Sequence, residues 1–247
     1  MKNMKKKSKK EQNKAAVKDI TIIDYGAGNI NSVKNALDSL NVKSKIINTP
    51  DEISSAGRII LPGVGNFGFM MKQLRKKKLE APIKNSITSG KPFLGICLGL
   101  QALFEESEES PGVKGLGIFK GRVVKFRDGK VPQIGWNKIM PVRNKENNKR
   151  NKRNNVRNKD ENNKNATKKD KSNKNATKKD GIFNESYMYF VNSYYVLPDD
   201  KSIVAAKTDY NGKFVSAIQF KNITAVQFHP EKSSKQGLEL LKKWLRS

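Results

Sequence analysis

The fold is decided by the stretch Pro92-Phe-Leu-Gly-Ile-Cys-Leu-Gly-Leu-Gln101. Its apolar run from Phe93 to Ile96 predicts a buried parallel strand, and the apolar residues that follow Cys97 predict a helix. A Gly-x-Cys-x-Gly sequence between a strand and a helix is the thiol form of the nucleophile elbow, a tight turn that lifts one side chain above the strand end. At the start of a helix, the dipole would favour the thiolate of Cys97. Because a lone cysteine is also common in protein cores, spacing alone leaves both interpretations open.

The residues on either side of this stretch alternate between short apolar strands and amphipathic helices. Before it, the sequence predicts strands at residues 20–23, 43–47 and 58–61, and helices at 30–40 and 66–89, the second cut by Pro82 and capped by Gly90. After it, the sequence predicts strands at residues 121–126, from 131, and at 187–191, 203–207, 213–218 and 223–228, then a helix with Leu238, Leu241 and Leu245 on one face. The β-α-β-β-α-β-α order of the first half is typical of a doubly wound α/β fold.

The formal net charge of +27 at first suggests a nucleic-acid-binding protein. Residues 1–18 contain eight lysines and one glutamate, and residues 143–180 contain fifteen Lys or Arg and five Asp or Glu, so the two stretches carry 17 of the 27 charges. Both stretches have almost no apolar residues and cannot bury enough surface to fold. We therefore attribute the charge to solubilising, low-complexity segments, and a nucleic-acid partner is the weaker alternative.

The expected organisation is one domain over residues 19–246, preceded by a disordered basic extension at 1–18 and interrupted by a Lys/Asn-rich insert at 143–180. Such an insert lengthens a surface loop at little cost, because closure entropy grows only with the logarithm of loop length. A single cysteine excludes an internal disulfide and suits a reducing cytosol. No apolar run approaches the ~18 residues of a membrane span and no signal-peptide pattern is found, so we expect a cytoplasmic protein without a membrane partner.

Two glycine-rich turns follow predicted strands. Asp24-Tyr-Gly-Ala-Gly-Asn29 resembles half of a dinucleotide-binding fingerprint, but its third glycine is missing, which disfavours nucleotide binding. In Pro62-Gly-Val-Gly65 the glycines could expose backbone N–H groups to an oxyanion. The alternative for each is a tight turn at the carboxyl edge of the sheet, where α/β proteins place their sites.

The single histidine, His229, follows the last predicted strand, and Glu231 lies two residues further on. In an extended segment residues two apart project to the same side, so the carboxylate could orient the imidazole. An oriented imidazole can hold a nearby thiol as its thiolate. A lone histidine is more often structural, but its combination with a cysteine in an elbow favours a catalytic triad of Cys97, His229 and Glu231.

Several motifs together resemble those of the class I glutamine amidotransferases. Gly95-Ile-Cys-Leu-Gly99 followed by Gln101, and Gln227-Phe-His-Pro-Glu-Lys-Ser233, carry this resemblance. More narrowly, the chain is similar to the glutaminase subunits of imidazole glycerol phosphate synthase, through the two glycine-rich turns, Gly135-Trp-Asn137 and Tyr189-Phe-Val-Asn-Ser-Tyr194. The similarity covers residues 19–142 and 181–246, with the motifs in the family's order. It implies a flavodoxin-like α/β fold, with a mostly parallel central sheet flanked by helices and a small antiparallel sheet.

The resemblance implies that the chain hydrolyses glutamine to glutamate and ammonia. Cys97 would attack the side-chain amide, His229 would act first as base and then as acid, and Glu231 would orient His229. The implied oxyanion hole comprises the backbone N–H groups of Leu98 and of Gly63 or Val64. The residues implied to hold glutamine are Gly65, Gln101, Val191, Ser193 and Tyr194.

The resemblance also implies a (β/α)8 cyclase subunit as the partner in a heterodimer. The ammonia would pass to this subunit, which makes imidazole glycerol phosphate and an aminoimidazole carboxamide ribotide in histidine biosynthesis. Asn29, Trp136 and Asn137 would lie near the interface, and neither a cofactor nor a metal ion is implied. Gln133 and Asn192 stand where the family's pattern has histidines, which bears on coupling to the partner but not on hydrolysis.

Two alternative functions stay open at this point. The chain could be another class I amidotransferase subunit, for example in pyridoxal phosphate, anthranilate or guanylate synthesis, although Pro62-Gly-Val-Gly65 differs from the Pro-Gly-Gly type of loop in the latter two. It could instead be a non-catalytic binding or scaffold protein that uses its basic insert. The intact Cys97, His229 and Glu231 argue against that second alternative.

Overall fold

The computed structural model of the protein describes residues 19–142 and 181–247. The predicted N-terminal extension and the predicted insert, residues 1–18 and 143–180, lie outside the described residues. The strands are β1 Ile20–Ile23, β2 Ser44–Ile47, β3 Arg58–Gly63, β4 Phe93–Cys97, β5 Glu106–Ser107, β6 Gly121–Lys125, β7 Gln133–Pro141, β8 Ser186–Asn192, β9 Tyr194–Pro198, β10 Val204–Asp209, β11 Lys213–Phe220 and β12 Ile223–Val226. The α-helices are α1 Ile30–Ser39, α2 Pro50–Ser55, α3 Phe67–Lys76, α4 Glu80–Thr88, α5 Leu98–Gln101 and α6 Ser234–Leu245.

All these strands belong to one hydrogen-bonded sheet, whose main path is β2-β1-β3-β4-β12-β11-β10-β7-β8. The first five strands of the path are parallel, in the strand order of the flavodoxin-like fold. From β12 to β8 each pair is antiparallel. β9 branches from β11 and pairs antiparallel with β11 and β6, and the short β5 pairs parallel with β6. The predicted fold class is confirmed, and the antiparallel strands are continuous with the parallel sheet.

Helices cover both faces of the parallel strands. The core beneath α2, α3 and α4 contains Ile53, Met70 and Ile83, and the core beneath α1 and α6 contains Leu37 and Trp244. Successive buried residues of β3 alternate between these two cores, because neighbouring side chains of a strand point to opposite faces. Each large apolar side chain that is buried contributes about 1.5–3 kcal/mol to the stability of the fold. The packed sheet therefore holds the loops at its strand ends in defined positions.

The carboxyl ends of β1, β3, β4 and β12 meet at one edge of the sheet, since these strands are parallel and adjacent. The turns that follow them are the glycine-rich turn from Asp24, the loop after Gly63, the elbow at Cys97 and the segment that leads to His229. Four motifs that are far apart in sequence are therefore brought to one place by the topology.

The helix predicted over residues 66–89 is broken at a different residue from the one expected. α3 ends at Lys76, and Lys78, with a φ of 57°, turns the chain into α4. Pro82 lies in the first turn of α4, where a missing N–H costs no intrahelical hydrogen bond. Gly90 ends this helix as predicted. Its φ is 86°, and its backbone N–H donates a hydrogen bond to the carbonyl oxygen of Ile87.

Other elements differ from the prediction in smaller ways. The segment after Cys97 forms a single turn of α-helix, so the dipole acting on the cysteine is small. Strand β9 was not predicted, and β6, predicted at residues 121–126, pairs with both β5 and β9. The buried side of α6 centres on Leu240, Leu241 and Trp244, and Leu238 is only half-buried. Within the described residues the longest helix has 12 residues, and none could span a bilayer.

Candidate active site

Cys97 ends strand β4 in a backbone conformation that non-glycine residues rarely adopt. Its φ is 55° and its ψ is −107°. Such a conformation costs about 1–3 kcal/mol and persists only where the surrounding packing enforces it. This is the strained strand-to-helix turn of a nucleophile elbow, as predicted from the sequence.

Close backbone packing enforces the elbow. A Cβ on Gly99 would lie 1.9 Å from the carbonyl oxygen of Leu61 in β3, and a Cβ on Gly95 would lie 2.7 Å from the carbonyl oxygen of Gly99. Neither position accommodates a side chain, which explains the Gly-x-Cys-x-Gly spacing. A Cβ on Gly63 would lie 2.7 Å from the Cβ of Leu98, so the elbow and the predicted oxyanion loop are in direct contact.

His229 and Glu231 form a buried pair at the same edge of the sheet. Nδ1 of His229 lies 2.8 Å from Oε1 of Glu231, and the two side chains are 4% and 1% exposed. The second oxygen of Glu231 has no hydrogen-bond partner among residues 19–142 and 181–247. The pairing does not arise from an extended strand as predicted, because β12 ends at Val226 and Pro230 begins a 3-10 turn that carries Glu231.

Ser233 and β8 hold this turn in place. The Ser233 hydroxyl donates to the carbonyl oxygen of His229 at 2.6 Å and accepts from the backbone N–H of Tyr189 at 2.9 Å. The backbone N–H of His229 donates in turn to the carbonyl oxygen of Tyr189 at 2.9 Å. Two hydrogen bonds to Tyr189 of β8 and one within the turn thus fix the backbone of His229, and the role of Ser233 was not predicted.

The surroundings of His229 favour its protonated form. Burial lowers the pKa of the imidazole, but the charge and hydrogen bond of Cys97, followed by those of Glu231, raise the pKa of His229 to about 10. The interactions that raise the pKa outweigh the effect of burial, because Cys97 and Glu231 can both be anionic and are buried next to the imidazole. The arrangement places the thiol of Cys97 beside an imidazole that favours its protonated form, with a carboxylate on the other ring nitrogen.

Two further groups contact the Cys97 sulphur. Nε2 of Gln227 lies 3.5 Å from Sγ, and Sγ lies 3.9 Å from the carbonyl oxygen of Val191. Gln101 donates from Nε2 to Oε1 of Gln227 at 3.1 Å and to the carbonyl oxygen of Tyr194 at 3.2 Å. Of the residues predicted to bind glutamine, Val191 contacts the thiol directly, and Gln101 and Tyr194 are linked to it through the side chain of Gln227. The contact of Gln227 was missed, although it lies two residues before His229 in the quoted motif.

The predicted oxyanion loop lies beside the elbow. Gly63 pairs with Cys97 in the parallel register of β3 and β4. Gly65 has a φ of 94°, and no described atom lies within 4 Å of the position a Cβ would take there, so the space above it is open. The carbonyl oxygen of Val64 accepts a hydrogen bond from the buried Tyr25 hydroxyl at 3.4 Å. Burial raises the pKa of Tyr25 to about 12, so the hydroxyl keeps its proton.

A further carboxylate, that of Glu109, was not predicted as a site residue and lies near Tyr194. Oε2 of Glu109 accepts a hydrogen bond from the backbone N–H of Phe67 at 2.6 Å, at the first turn of α3. Burial raises the pKa of Glu109, while that hydrogen bond lowers it. Burial also raises the pKa of Tyr194, and the charge of Glu109 adds to that rise, so this carboxylate acts on the segment predicted to bind glutamine.

These groups together can carry out nucleophilic acyl transfer: a thiol, a base with its orienting carboxylate, and backbone N–H donors next to the thiol. Among the residues that the structure describes, no three His, Cys, Asp or Glu side chains are arranged to hold a metal ion.

Comparison with known proteins agrees with this geometry. A family model described as glutamine amidotransferase class-I matches residues 21–247. The imidazole glycerol phosphate synthase subunit HisH of Pyrococcus furiosus is 46% identical over 92% of this chain and 98% of its own length. The subunit of the same name from Methanocaldococcus jannaschii is 43% identical over the same shares. The chain belongs to the HisH family of class I glutamine amidotransferases.

Solved structures share the fold of this HisH-family chain at low sequence identity. A crystal structure of a glutamine amidotransferase superposes with a TM-score of 0.65 at 16% identity, over 92% of this chain and 97% of that chain. The structure of PurLQS from Thermotoga maritima superposes with a TM-score of 0.64 at 15% identity, over 93% of this chain and 98% of that chain. The fold is therefore shared more widely than the sequence.

The strand pair β7–β8 of this HisH-family chain exposes an apolar face. Ile134, Trp136 and Tyr187 are 61%, 48% and 58% exposed, and the Trp136 ring packs against Tyr189 with centroids 5.9 Å apart. Exposed apolar side chains grouped in this way mark interaction surfaces. Val191 belongs to the same face, and because its carbonyl contacts the thiol, the face borders the site.

The remaining predicted residues, Asn29, Asn137 and Ser193, lie at separate positions in the fold. Asn29 precedes α1 and accepts a hydrogen bond from the Ser32 hydroxyl at 2.7 Å. Asn137 is half-buried in β7 and accepts a hydrogen bond from Nε2 of Gln133 at 2.9 Å. Ser193 joins β8 to β9, and its carbonyl oxygen accepts from the N–H of Phe126, so part of its backbone is already engaged.

The two residues at which the resemblance implied histidines lie opposite each other. Gln133 of β7 and Asn192 of β8 are register partners, and both side chains are buried. Asn192 donates to the carbonyl oxygen of Tyr194 at 3.0 Å. Oε1 of Gln133 and Oδ1 of Asn192 have no hydrogen-bond partner within the described part of the chain. Both residues are therefore on the buried side of the strand pair, behind the apolar face.

Proposed function

We propose that the protein is the glutaminase subunit of an imidazole glycerol phosphate synthase, and that a Cys-His-Glu triad hydrolyses glutamine to glutamate and ammonia. The proposal is carried by one observation, the strained Cys97 beside the buried pair of His229 and Glu231. It is supported by the names and the 46% and 43% identity of the relatives.

The triad performs two half-reactions. In the first, the thiolate of Cys97 attacks the side-chain amide carbon, and His229 donates its proton to the amide nitrogen, which leaves as ammonia. In the second, His229 removes a proton from water, the water oxygen attacks the thioester, and the thiolate departs to leave glutamate. Glu231 holds the imidazole by Nδ1 and stabilises its charged form throughout.

Backbone N–H groups stabilise the tetrahedral intermediate of each half-reaction. The N–H of Leu98 follows the nucleophile directly, and the second donor comes from Gly63 or Val64, whose loop packs against the elbow. Removal of one such donor typically costs about a hundred- to a thousandfold in rate, so the orientation of this loop controls turnover.

The amino-acid end of glutamine binds on the opposite side of the thiol from the triad histidine. Gly65 supplies open space above its backbone, and Gln101 presents its carbonyl oxygen because both of its N–H groups are engaged. Backbone groups of Val191, Ser193 and Tyr194 line the other side. The substrate's ammonium group needs a carboxylate, and Glu109 is the half-buried carboxylate that faces this segment.

The partner is the (β/α)8 cyclase, which binds over the apolar face of β7–β8. Trp136 and Asn137 lie on this strand pair, and Asn29 precedes α1 after the glycine-rich turn that follows β1. The cyclase uses the ammonia to form imidazole glycerol phosphate and aminoimidazole carboxamide ribotide. Because the face borders the thiol through Val191, ammonia need not cross bulk water. The single free thiol suits action in a reducing cytoplasm.

The test measures glutamate release by the purified chain alone and with the cyclase of the same organism and its nucleotide ligand. We expect slow hydrolysis alone, much faster hydrolysis in the complex, and none from Cys97→Ala in either case. Unchanged hydrolysis in Cys97→Ala would contradict the enzymatic proposal. Hydrolysis that ignores the cyclase would instead indicate a different class I amidotransferase subunit.

A further inference from the structure

Gln227 is a buried amide that links the thiol to the predicted glutamine-binding residues. It follows the last residue of β12, lies two residues before His229 and has no exposed surface. Its backbone N–H donates to the carbonyl oxygen of Ser216 at 2.9 Å, which fixes the position of its Cα. Its side chain contacts Gln101 at one end and Cys97 at the other.

The hydrogen-bond network determines which end of the Gln227 amide faces the sulphur. The backbone carbonyl of Tyr194 can only accept, so the group of Gln101 that contacts it at 3.2 Å is the NH2 group. The same NH2 group lies 3.1 Å from Gln227, which must present its oxygen there. The NH2 group of Gln227 is therefore directed at Sγ of Cys97, 3.5 Å away.

We propose that Gln227 is a further catalytic residue, whose side-chain N–H donates a hydrogen bond to the Cys97 sulphur and stabilises the thiolate. The inference rests on the proposed function and adds a residue to it. A neutral thiol is a weak acceptor, whereas a hydrogen bond to an ionised acceptor is about twice as strong as a neutral one, so the donor favours the anion.

Gln227 and His229 act on the sulphur in different ways. His229 can give its proton to the sulphur, which destroys the nucleophile, whereas an amide N–H stays on its nitrogen. Gln227 therefore stabilises negative charge without a competing proton transfer. When water attacks the thioester, the C–S bond breaks and the electron pair returns to sulphur, where the same N–H receives it. The carbonyl of Val191, at 3.9 Å, can accept only from the protonated thiol.

The test compares the rate of iodoacetamide alkylation of Cys97 against pH in the wild type and in Gln227→Met, without substrate or partner. Methionine keeps the length and burial of glutamine and lacks the donor. One hydrogen bond to a charged group corresponds to about one to two pH units, so we expect the midpoint to rise by that amount. The single cysteine of the chain makes the reading unambiguous.

Asn222→Leu is the matched control. Asn222 precedes the other end of β12 and donates to the carbonyl oxygens of Ile87 and Lys91 at 2.9 and 2.7 Å, so its loss weakens the fold without touching the sulphur. Its alkylation midpoint should equal that of the wild type. An unchanged midpoint in Gln227→Met, or an equal shift in Asn222→Leu, would overturn the inference.

A second measurement uses the wild-type sequence and does not depend on the folding of Gln227→Met. The side-chain amide of Gln227, followed by 15N–1H NMR, should shift at the pH where the thiol ionises, and this step should be absent in Cys97→Ala. An amide signal that ignores thiol ionisation would also overturn the inference. Both measurements need no glutamine, so a wild-type chain that fails to hydrolyse glutamine refutes the proposed function separately.

Discussion

Two substitutions of Glu231 separate the charge of its carboxylate, the third member of the proposed triad, from its hydrogen bond to His229. In the wild type, Nδ1 of His229 lies 2.8 Å from Oε1 of Glu231. Glu231→Gln keeps a side-chain oxygen that can accept this hydrogen bond and removes the negative charge. A hydrogen bond to a charged group contributes about 1.5–3 kcal/mol and a neutral one about 0.5–1.5 kcal/mol, so the charge is worth about 1–1.5 kcal/mol. At about 1.4 kcal/mol for each factor of ten, kcat/KM should fall about tenfold.

Glu231→Ala removes the acceptor as well as the charge. The two side chains are 4% and 1% exposed, so the donor on His229 is left without a partner in a dry site. The whole charged hydrogen bond is lost, and the stranded donor adds about 1–3 kcal/mol. The expected loss in kcat/KM is therefore about a hundred- to ten-thousandfold, well beyond that of Glu231→Gln.

The assay is kcat/KM for glutamate release in the complex with the cyclase, with circular dichroism to confirm that each variant is folded. Glu239→Gln is the control, because the Glu239 side chain on α6 is 62% exposed and its one salt bridge within the described residues is to Lys242. It should match the wild type. Equal losses for Glu231→Gln and Glu231→Ala would refute the reasoning, since the retained acceptor would then have no value.

Three further predictions follow from buried charge, close packing and the exposed face. The folded chain holds the His229 proton more tightly than the unfolded chain, since its pKa is raised from 6.5 to about 10. The wild type should therefore have a larger free energy of unfolding in urea than His229→Asn. This difference should be at its maximum below pH 6.5 and disappear as the pH rises through about 10, and a difference that does not change with pH would contradict the reasoning. Gly99→Ala places a Cβ 1.9 Å from the carbonyl oxygen of Leu61, so it should lower the free energy of unfolding by about 1–3 kcal/mol or more and also lower glutaminase activity. The control is Gly181→Ala, because no described atom lies within 4 Å of its Cβ position. It should leave both quantities unchanged in thermal melts and activity assays. Trp136→Ala should weaken binding of the cyclase at least tenfold in calorimetry while the chain alone keeps its slow hydrolysis, and undiminished affinity would exclude this face as the interface.

The fold and the tight turn at Cys97 could be predicted from local sequence because their signals are local. Short apolar strands and the glycine spacing around Cys97 define β3, β4 and the elbow within a few residues of sequence. The structure adds the reason for the spacing, because Gly99 touches the backbone of Leu61, a contact between neighbouring strands.

Features that depend on tertiary contacts could not be predicted from the sequence. The i, i+2 relation of His229 and Glu231 was found, but its cause is a 3-10 turn begun by Pro230 rather than an extended strand. The roles of Gln227 and Glu109 depend on residues more than forty positions away, so even the motif that contains Gln227 does not show which side chain it contacts. Side-chain networks of this kind are decided by which strand ends meet, not by periodicity.

The central claim is that Cys97 is the nucleophile for the glutamine side chain, and a glutamine analogue with an electrophilic diazoketone in place of the amide tests it most directly. The chain, in complex with the cyclase, is treated with the analogue and analysed by intact mass and peptide mapping. The account predicts one adduct per chain, located on Cys97, formed more slowly in the presence of glutamine and abolished in Cys97→Ala. Attachment elsewhere, or labelling that glutamine does not slow, would contradict it.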